Sequence, residues 1–97
     1  MNSYDFEKIC KNAIIKYYEE NSEITDNVHL TIKDIYIVWQ CKTLQNNKAL
    51  LSTTNFDGMY FECTYNGDKK ELYLDAYKKW KNIRIEEKDF DKEAKEV

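Results

Sequence analysis

Two carboxylates, Glu62 and Asp75, have the spacing in this 97-residue chain that best suits acid–base chemistry. They lie in the stretch "MYFECTYNGDKKELYLDAY" (59–77), whose alternating side chains predict two strands joined by a turn. Diagonal neighbours on such a hairpin are roughly 5–8 Å apart, which overlaps the separation of paired carboxylates in glycosidases. A catalytic pair also needs an enclosed cleft that raises one pKa, and short strands provide little enclosure. We therefore expect no enzyme, and interpret these carboxylates as surface partners of tyrosines.

The cysteines and the single histidine do not form a nucleophilic or metal-binding pattern. Cys41 and Cys63 lie in strand-like runs and are expected to face the core. Cys10 lies on a predicted helix face, and His29 lies in a polar loop as a solvated residue. Without a CxxC motif or a Cys/His cluster, the sequence predicts no metal and no cofactor. The two glycines are isolated, which argues against phosphate-binding loops.

An amphipathic helix is predicted over residues 4–21, with Ser3 as its N-cap. Its apolar residues recur three and four apart and fall on one side of a helix. These residues are Phe6, Ile9, Cys10, Ala13, Ile14 and Tyr17. Residues 22–33 then form a polar, irregular connection anchored by Leu30 and Ile32.

Four strands follow, because the apolar period changes from three or four residues to two. They are predicted at 34–44, 48–54, from residue 59, and 70–80, with "QNN" (45–47) as the first turn. On the first strand, one face would hold Ile35, Ile37, Trp39 and Cys41, and the other Tyr36, Val38, Gln40 and Lys42. Trp39 is expected in the core, and Trp80 at its edge.

The second hairpin has two candidate registers. A two-residue Asn-Gly turn at 66–67 would set Glu62 opposite Glu71, which is unfavourable. A four-residue loop at 66–69 separates these charges, and we expect this register. It gives the cross-strand pairs Cys63–Leu72, Phe61–Leu74, Glu62–Tyr73 and Tyr60–Asp75.

The apolar stripe of the helix and the apolar face of the sheet can bury themselves only on each other. The predicted fold is therefore α+β: an N-terminal helix packed across a four-stranded antiparallel meander. This αββββ order resembles the cystatin-like arrangement. We expect a single domain over residues 1–85. Residues 86–97 form a charged C-terminal tail, frayed or in a short helix, with Ile85 and Phe90 as anchors.

The other face of the sheet is the predicted binding surface, since it combines tyrosines, carboxylates and lysines. Aromatic side chains are favoured anchors in interfaces, and this patch is larger than monomers usually expose. We expect a protein partner, or a second copy in a homodimer. The binding-face residues are Tyr36, Lys42, Lys48, Tyr60, Glu62, Tyr73, Asp75 and Tyr77.

Single-stranded nucleic-acid binding by the same face is the alternative, with tyrosines stacking on bases and a lysine rim meeting phosphates. The carboxylates on this face, the net charge of −3 and the single arginine, Arg84, argue against it. Two further interpretations stay open: a small-molecule pocket between helix and sheet, and a sheet face that binds only water.

Composition suggests where the chain works. No apolar run reaches 18 residues, so no membrane span is expected. The N-terminus is acidic where a signal peptide would be basic and then apolar, so we expect a cytoplasmic protein. Residues 67–84 carry six basic and three acidic side chains, and acidic segments lie on either side.

Two stretches, "VWQCKTLQNNKALLSTT" and "DGMYFECTYNGDKKELYLDAYKKW", resemble a family of small proteins of unknown function from phages and prophages of low-GC Gram-positive bacteria. The resemblance covers roughly residues 34 to 80, and the helix matches in pattern only. It implies a cytoplasmic accessory protein made in the bacterial host cell, with a role in modulating a host or defence protein. It supplies no catalytic residues.

Overall fold

The computed structural model describes residues 1–21, 30–55 and 57–90, and in them one helix packs against one side of a four-stranded sheet. The sheet is an antiparallel meander with the strand order β1-β2-β3-β4, so the predicted α+β, αββββ architecture is confirmed. The main elements are α1 (Ser3–Glu20), β1 (Ile35–Thr43), β2 (Asn46–Thr53), β3 (Met59–Asn66) and β4 (Glu71–Lys78). Short 3-10 turns lie at Ile32–Asp34 and Glu87–Asp89. His29 lies outside the described residues, as do most of the 22–33 connection and positions 91–97 of the tail.

Helix α1 begins one residue earlier than predicted, because Asn2 is its N-cap and Ser3 is its first helical residue. The Asn2 Oδ1 atom accepts a hydrogen bond of 2.8 Å from the backbone N–H of Asp5, one of the donors that the first turn leaves unpaired. The Asp5 carboxylate also lies at the positive end of the helix dipole. At the other end, the Asn21 side chain donates to the Tyr17 carbonyl at 2.8 Å.

The core forms between one stripe of α1 and the facing side of the sheet, with buried residues from β1, β2 and β3 and the half-buried Leu72 and Leu74 of β4 packed against them. The stripe consists of residues spaced by four, which places them on one line along the helix. Tyr17 and Tyr18 end this contact, with ring centroids 5.4 and 5.7 Å from that of Phe61. The buried apolar residues are Phe6, Cys10, Ile14 and Tyr18 from α1, and Ile35, Ala49, Leu51, Phe61 and Cys63 from the sheet.

The helix stripe and the loop anchors differ in part from the prediction. Ile9 is exposed, and Tyr18 is buried in addition to the half-buried Tyr17. Leu30 packs against the core as expected, whereas Ile32 is exposed. The buried stripe therefore follows positions four apart, from residue 6 to residue 18.

The β3–β4 hairpin has a register two residues away from the predicted one. Cys63 lies opposite Leu74, not Leu72, and the connecting loop is 67–70. The side chain of Asn66 explains this position, because its Oδ1 accepts from the backbone N–H groups of Asp68 and Lys69 at 3.1 and 3.2 Å. Asn66 thus closes the loop from the last position of β3.

This shift changes every predicted cross-strand pair but leaves each side chain on its predicted side, since strand side chains alternate with a period of two. Phe61 lies opposite Ala76 and not Leu74. The expected pairs Glu62–Tyr73 and Tyr60–Asp75 are wrong. The observed pairs on that side are Tyr60–Tyr77, Glu62–Asp75 and Thr64–Tyr73.

The β1–β2 hairpin turns earlier than the predicted "QNN", at Leu44 and Gln45, because Thr43 pairs with Asn46. Leu44 has a φ of 56°, in the left-handed region that branched residues seldom occupy. The neighbouring loop comes very close: a Cβ atom at Gly67 would lie 2.1 Å from the Gln45 carbonyl oxygen. Gly67 is therefore required by this approach of two loops.

A β-bulge interrupts β1 between Ile37 and Trp39. Val38 is the extra residue, and it reverses the side to which every later side chain of β1 points. The prediction that Trp39 and Cys41 face the core is wrong: Trp39 pairs with Leu50 on the side away from α1, and Cys41 is exposed.

The chain beyond β4 leaves the sheet after a single backbone hydrogen bond from Lys79, and its large apolar side chains stay exposed. We call residues 79–90 the C-terminal arm. Trp80, predicted to cover the edge of the core, has 97% of its surface exposed. Ile85 and Phe90 are exposed as well, so they are not the anchors that the sequence predicted.

Candidate functional site

The side of the sheet away from α1 carries no covering element in the described residues, and we call it the outer face. Its side chains alternate with the buried ones along each strand, and cross-strand pairing arranges them in rows. From β1 to β4 these rows are Tyr36, Ser52, Tyr60, Tyr77; then Trp39, Leu50, Glu62, Asp75; then Cys41, Lys48, Thr64, Tyr73.

Aromatic rings dominate the outer face. Three of the four residues in the first row are tyrosines, and Ser52 leaves a gap between two of them. Its hydroxyl is satisfied by donating to the Met59 carbonyl at 2.9 Å. Tyr77 is 52% exposed and Trp39 is 44% exposed, so both keep large apolar areas in contact with water. Covering such apolar areas with a partner lowers the free energy, because it removes them from water.

The second row places two carboxylates side by side, since Glu62 and Asp75 are directly opposite each other. Like charges in this position repel. Lys48 compensates one of them, with its Nζ atom 2.9 Å from Glu62 Oε1. The hydrogen bond and the charge of Glu62 raise the pKa of Lys48 above its ordinary value. Asp75 makes no ion pair within the described ranges, so the row carries surplus negative charge.

A further carboxylate lies at the edge of the outer face. The Tyr73 hydroxyl donates to Glu71 Oε2 at 2.5 Å, between two residues on the same side of β4. This hydrogen bond, followed by the charge of Glu71, raises the pKa of Tyr73. The sequence predicts Glu62 as the partner of Tyr73, whereas the observed partner lies on its own strand.

Seven of the eight predicted binding-face residues do lie on the outer face, and Lys42 does not. The bulge at Val38 turns Lys42 to the helix side, where its Nζ atom donates to the Met1 carbonyl at 2.9 Å. Sequence reasoning in turn missed Trp39 and Cys41. The seven on the outer face are Tyr36, Lys48, Tyr60, Glu62, Tyr73, Asp75 and Tyr77.

An open cleft of about 540 Å³ continues the tyrosine row at the end where β2 turns into β3. Tyr36 and Tyr60 form one part of its lining, and Lys79, the first residue of the C-terminal arm, forms another. Asn55 lies here with a buried Nδ2 atom that has no hydrogen-bond partner among the described residues. The outer face and the start of the arm therefore share one end of the molecule.

The two carboxylates of the second row lie on an open surface. Glu62 is half-buried and Asp75 exposed on an open sheet, without the enclosure that acid–base catalysis uses. Within 1–21, 30–55 and 57–90, no group of three or more His, Cys, Asp or Glu residues is placed to hold a metal ion. No helix of the described ranges is long and apolar enough to cross a membrane.

Comparison with known proteins places the chain in a family. Residues 7–87 match a family of unknown function, DUF6275. The chain belongs to the DUF6275 family. The matched range contains most of α1, all four strands and the greater part of the C-terminal arm, to residue 87. No curated protein and no solved structure matches the chain.

Proposed function

We propose that this DUF6275 protein is a non-enzymatic binding protein that engages another protein through its outer face. We further propose that it is an accessory protein of a phage or prophage, working in the cytoplasm of the bacterial host cell, where it modulates a host or defence protein. The biological setting rests on the sequence resemblance described above. The binding surface rests on the outer face itself.

The observation that carries the proposal is the uncovered aromatic surface of the outer face. Exposed tyrosine and tryptophan side chains offer large contact area with few rotatable bonds, and they are enriched among the residues that dominate interface energies. Here they project from three strands of the paired sheet, β1, β3 and β4, so a partner meets a preformed surface and orders little of it on binding. The five rings are Tyr36, Trp39, Tyr60, Tyr73 and Tyr77.

Single-stranded nucleic acid is the second candidate, because the same rings can stack on bases. Its support is weaker on electrostatic grounds. Lys42 points to the helix side, and Lys48 is paired with Glu62. A phosphate backbone would thus meet a face with surplus negative charge, whereas proteins bind nucleic acids largely through the attraction of cationic side chains to phosphates.

Affinity capture from a nuclease-treated extract of a low-GC Gram-positive bacterium tests the proposal. Three tagged chains are compared: the wild type, Trp39→Ser/Tyr77→Ser on the outer face, and Tyr4→Ser, an exposed position on α1. We expect at least one protein, another chain or an untagged copy of this one, to bind the wild type and Tyr4→Ser. The outer-face variant should retain about tenfold less of it, since truncating interface anchors typically costs more than about 1 kcal/mol each. Identical capture by all three chains would refute the proposal.

A further inference from the structure

The first part of the C-terminal arm, residues 79–85, presents a second surface without a covering element in the described ranges, opposite in charge to the outer face. Residues 79–85 contain three cations, Lys79, Lys81 and Arg84, and no acidic residue. Arg84 pairs with Glu86 just beyond this segment, Nη2 to Oε1 3.3 Å, so Lys79 and Lys81 are the two cations without an ion pair in the described ranges. Between the cations lie exposed apolar side chains: Ile83 and Ile85 are 65% and 63% exposed. Trp80 is almost wholly exposed, so the segment combines positive charge with apolar area that its own chain does not bury in the described ranges.

The outer face has the complementary properties. Its second row carries Glu62 and Asp75, of which Glu62 pairs with Lys48 of the third row, and Glu71 adds negative charge at its edge. Aromatic rings surround these carboxylates. Surfaces of opposite charge attract each other over several ångströms, and the buried apolar area then holds them together.

The dimensions of arm and face also agree. Seven extended residues reach up to about 23–25 Å. Successive rows of the outer face are about 7 Å apart along the strands, so the three rows span about 14 Å, which the arm is long enough to cross. The arm starts at the same end of the sheet as the tyrosine row, where the Lys79 N–H donates to the Gly58 carbonyl at 2.7 Å.

We propose that residues 79–85 of one copy lie across the outer face of a second copy, and that two copies exchange arms to form a closed dimer. A two-fold arrangement satisfies both arms and both faces at once, so a host protein would reach the outer face only in place of the arm. The family range includes the whole of residues 79–85, so this segment is part of the family's shared chain and not an appendage to it. The inference rests on the proposed function for the identity of the docking face and adds its occupant.

Sedimentation velocity of the full chain between about 1 and 100 μM tests the exchange. We expect the wild type to move from monomer to dimer within this range. Trp80→Ser/Ile83→Ser removes two apolar side chains of the arm and should raise the dissociation constant at least about tenfold. Phe90→Ser is the matched control: Phe90 is also exposed on the arm but lies beyond residue 85, and its removal should leave the constant unchanged.

A charge exchange tests whether the arm meets the outer face in particular. Asp75→Lys and Lys81→Glu should each weaken the dimer, because each places like charges together across the contact. Both changes in one chain restore opposite charges and should recover part of the association. With Trp39→Phe as background, Trp80 is the sole tryptophan, and its emission should shift to shorter wavelength as concentration rises.

The inference is overturned by a monomer at about 100 μM, by a dimer unaffected by Trp80→Ser/Ile83→Ser, or by no recovery in the charge-exchanged chain. A blue-shifted Trp80 emission that is independent of concentration would also overturn it, since the arm would then cover its own chain. If the wild type is monomeric but captures a bacterial protein that Trp39→Ser/Tyr77→Ser loses, the arm exchange fails and the proposed function stands. If the dimer forms equally well when the outer face is changed, the exchange of arms is overturned. The affinity capture then tests the proposed function by itself.

Discussion

Val38 occupies the extra position of the bulge in β1 and thereby determines which residues reach the outer face. Before it, Ile35 and Ile37 point to α1 in the usual alternation. After it, Trp39 and Cys41 point outwards and Lys42 points to the helix side. One inserted residue thus brings the Trp39 ring onto the candidate binding surface and removes Lys42 from it.

Thiol labelling tests directly whether the bulge in β1 turns Cys41 outwards. Cys10 and Cys63 are fully buried, whereas Cys41 is exposed. We expect one thiol per native chain to react rapidly with Ellman's reagent and all three cysteines to react in denaturant, because a buried thiol cannot reach the reagent. The variant Cys41→Ser should lose the rapid phase. A native wild type without a rapid phase would contradict the bulge, since an uninterrupted β1 would turn Cys41 to the core.

Tyr18 links the helix to the β2–β3 connection, and its ionisation makes stability depend on pH. Its hydroxyl donates to Asp57 Oδ2 at 2.5 Å. Burial, followed by this hydrogen bond, raises the pKa of Tyr18 above its ordinary value. A raised pKa means that the folded chain holds the proton more tightly. The stabilisation is therefore complete below the unfolded pKa of about 10 and is lost as pH rises above it.

Urea unfolding at several pH values checks this prediction. Above about pH 10 the free energy of unfolding should fall by up to about 1.4 kcal/mol per pH unit from Tyr18 alone. The neighbouring Cys63 sulfur and burial raise the pKa of the Cys10 thiol, which adds a decline that starts nearer pH 9. The decisive comparison is therefore with Tyr18→Phe, which should lose stability more slowly in this range. Equal slopes for the two chains would rule out the role given to Tyr18.

At the scale of elements, the β1–β2 hairpin contains a correctable source of strain. Leu44 has positive φ at the first position of a two-residue turn and is well exposed. Asparagine tolerates this conformation better than leucine does. We expect Leu44→Asn to raise the free energy of unfolding by about 0.5–1 kcal/mol, measured by thermal and urea denaturation.

Gln45→Asn is the matched control, because Gln45 is the other residue of the turn and does not have positive φ. It should change stability by less than about 0.5 kcal/mol. Equal effects of the two substitutions would show that the turn conformation of Leu44 is not a source of strain.

The existence and type of each element could be predicted from the sequence, because a period near 3.6 and then a period of two are strong signals. The positions of the turns and the register between the strands could not be predicted from it. Nothing in the sequence favours Leu44 as a turn residue over the asparagines that follow it, and those asparagines belong to β2. Asn66 acts through its side chain as well as its backbone, which displaces the second loop from its predicted position.

The candidate site was predictable where alternation alone decides it. An error of two residues in the β3–β4 register leaves Tyr60, Glu62 and Tyr73 on the predicted side. An inserted residue in β1 has the opposite effect, because it moves every later side chain of the strand to the other side of the sheet. The run "IYIVW" is β-branched or aromatic at every position, so no polar residue marks Val38 as the extra one.

At the scale of the whole molecule, two surfaces lack a partner within the described ranges, while the opposite side of the sheet is packed against α1. The outer face carries aromatic rings and surplus negative charge, whereas residues 79–85 of the arm carry exposed apolar side chains and cations. A monomer leaves the exposed apolar side chains of both surfaces in water, and clusters of such side chains on soluble proteins mark interaction sites. We therefore propose the outer face as a protein-binding surface, with the arm of a second copy as its occupant.

Site-specific photocrosslinking in bacterial cells tests that central claim most directly. A benzophenone amino acid replaces Tyr77 on the outer face in one chain and Tyr4 on α1 in another; both positions are exposed. We expect crosslinked protein from position 77 and little from position 4, with an adduct of two identical chains if arms exchange. Adducts from position 4 alone, or from neither position, would contradict the assignment of the outer face as the binding surface.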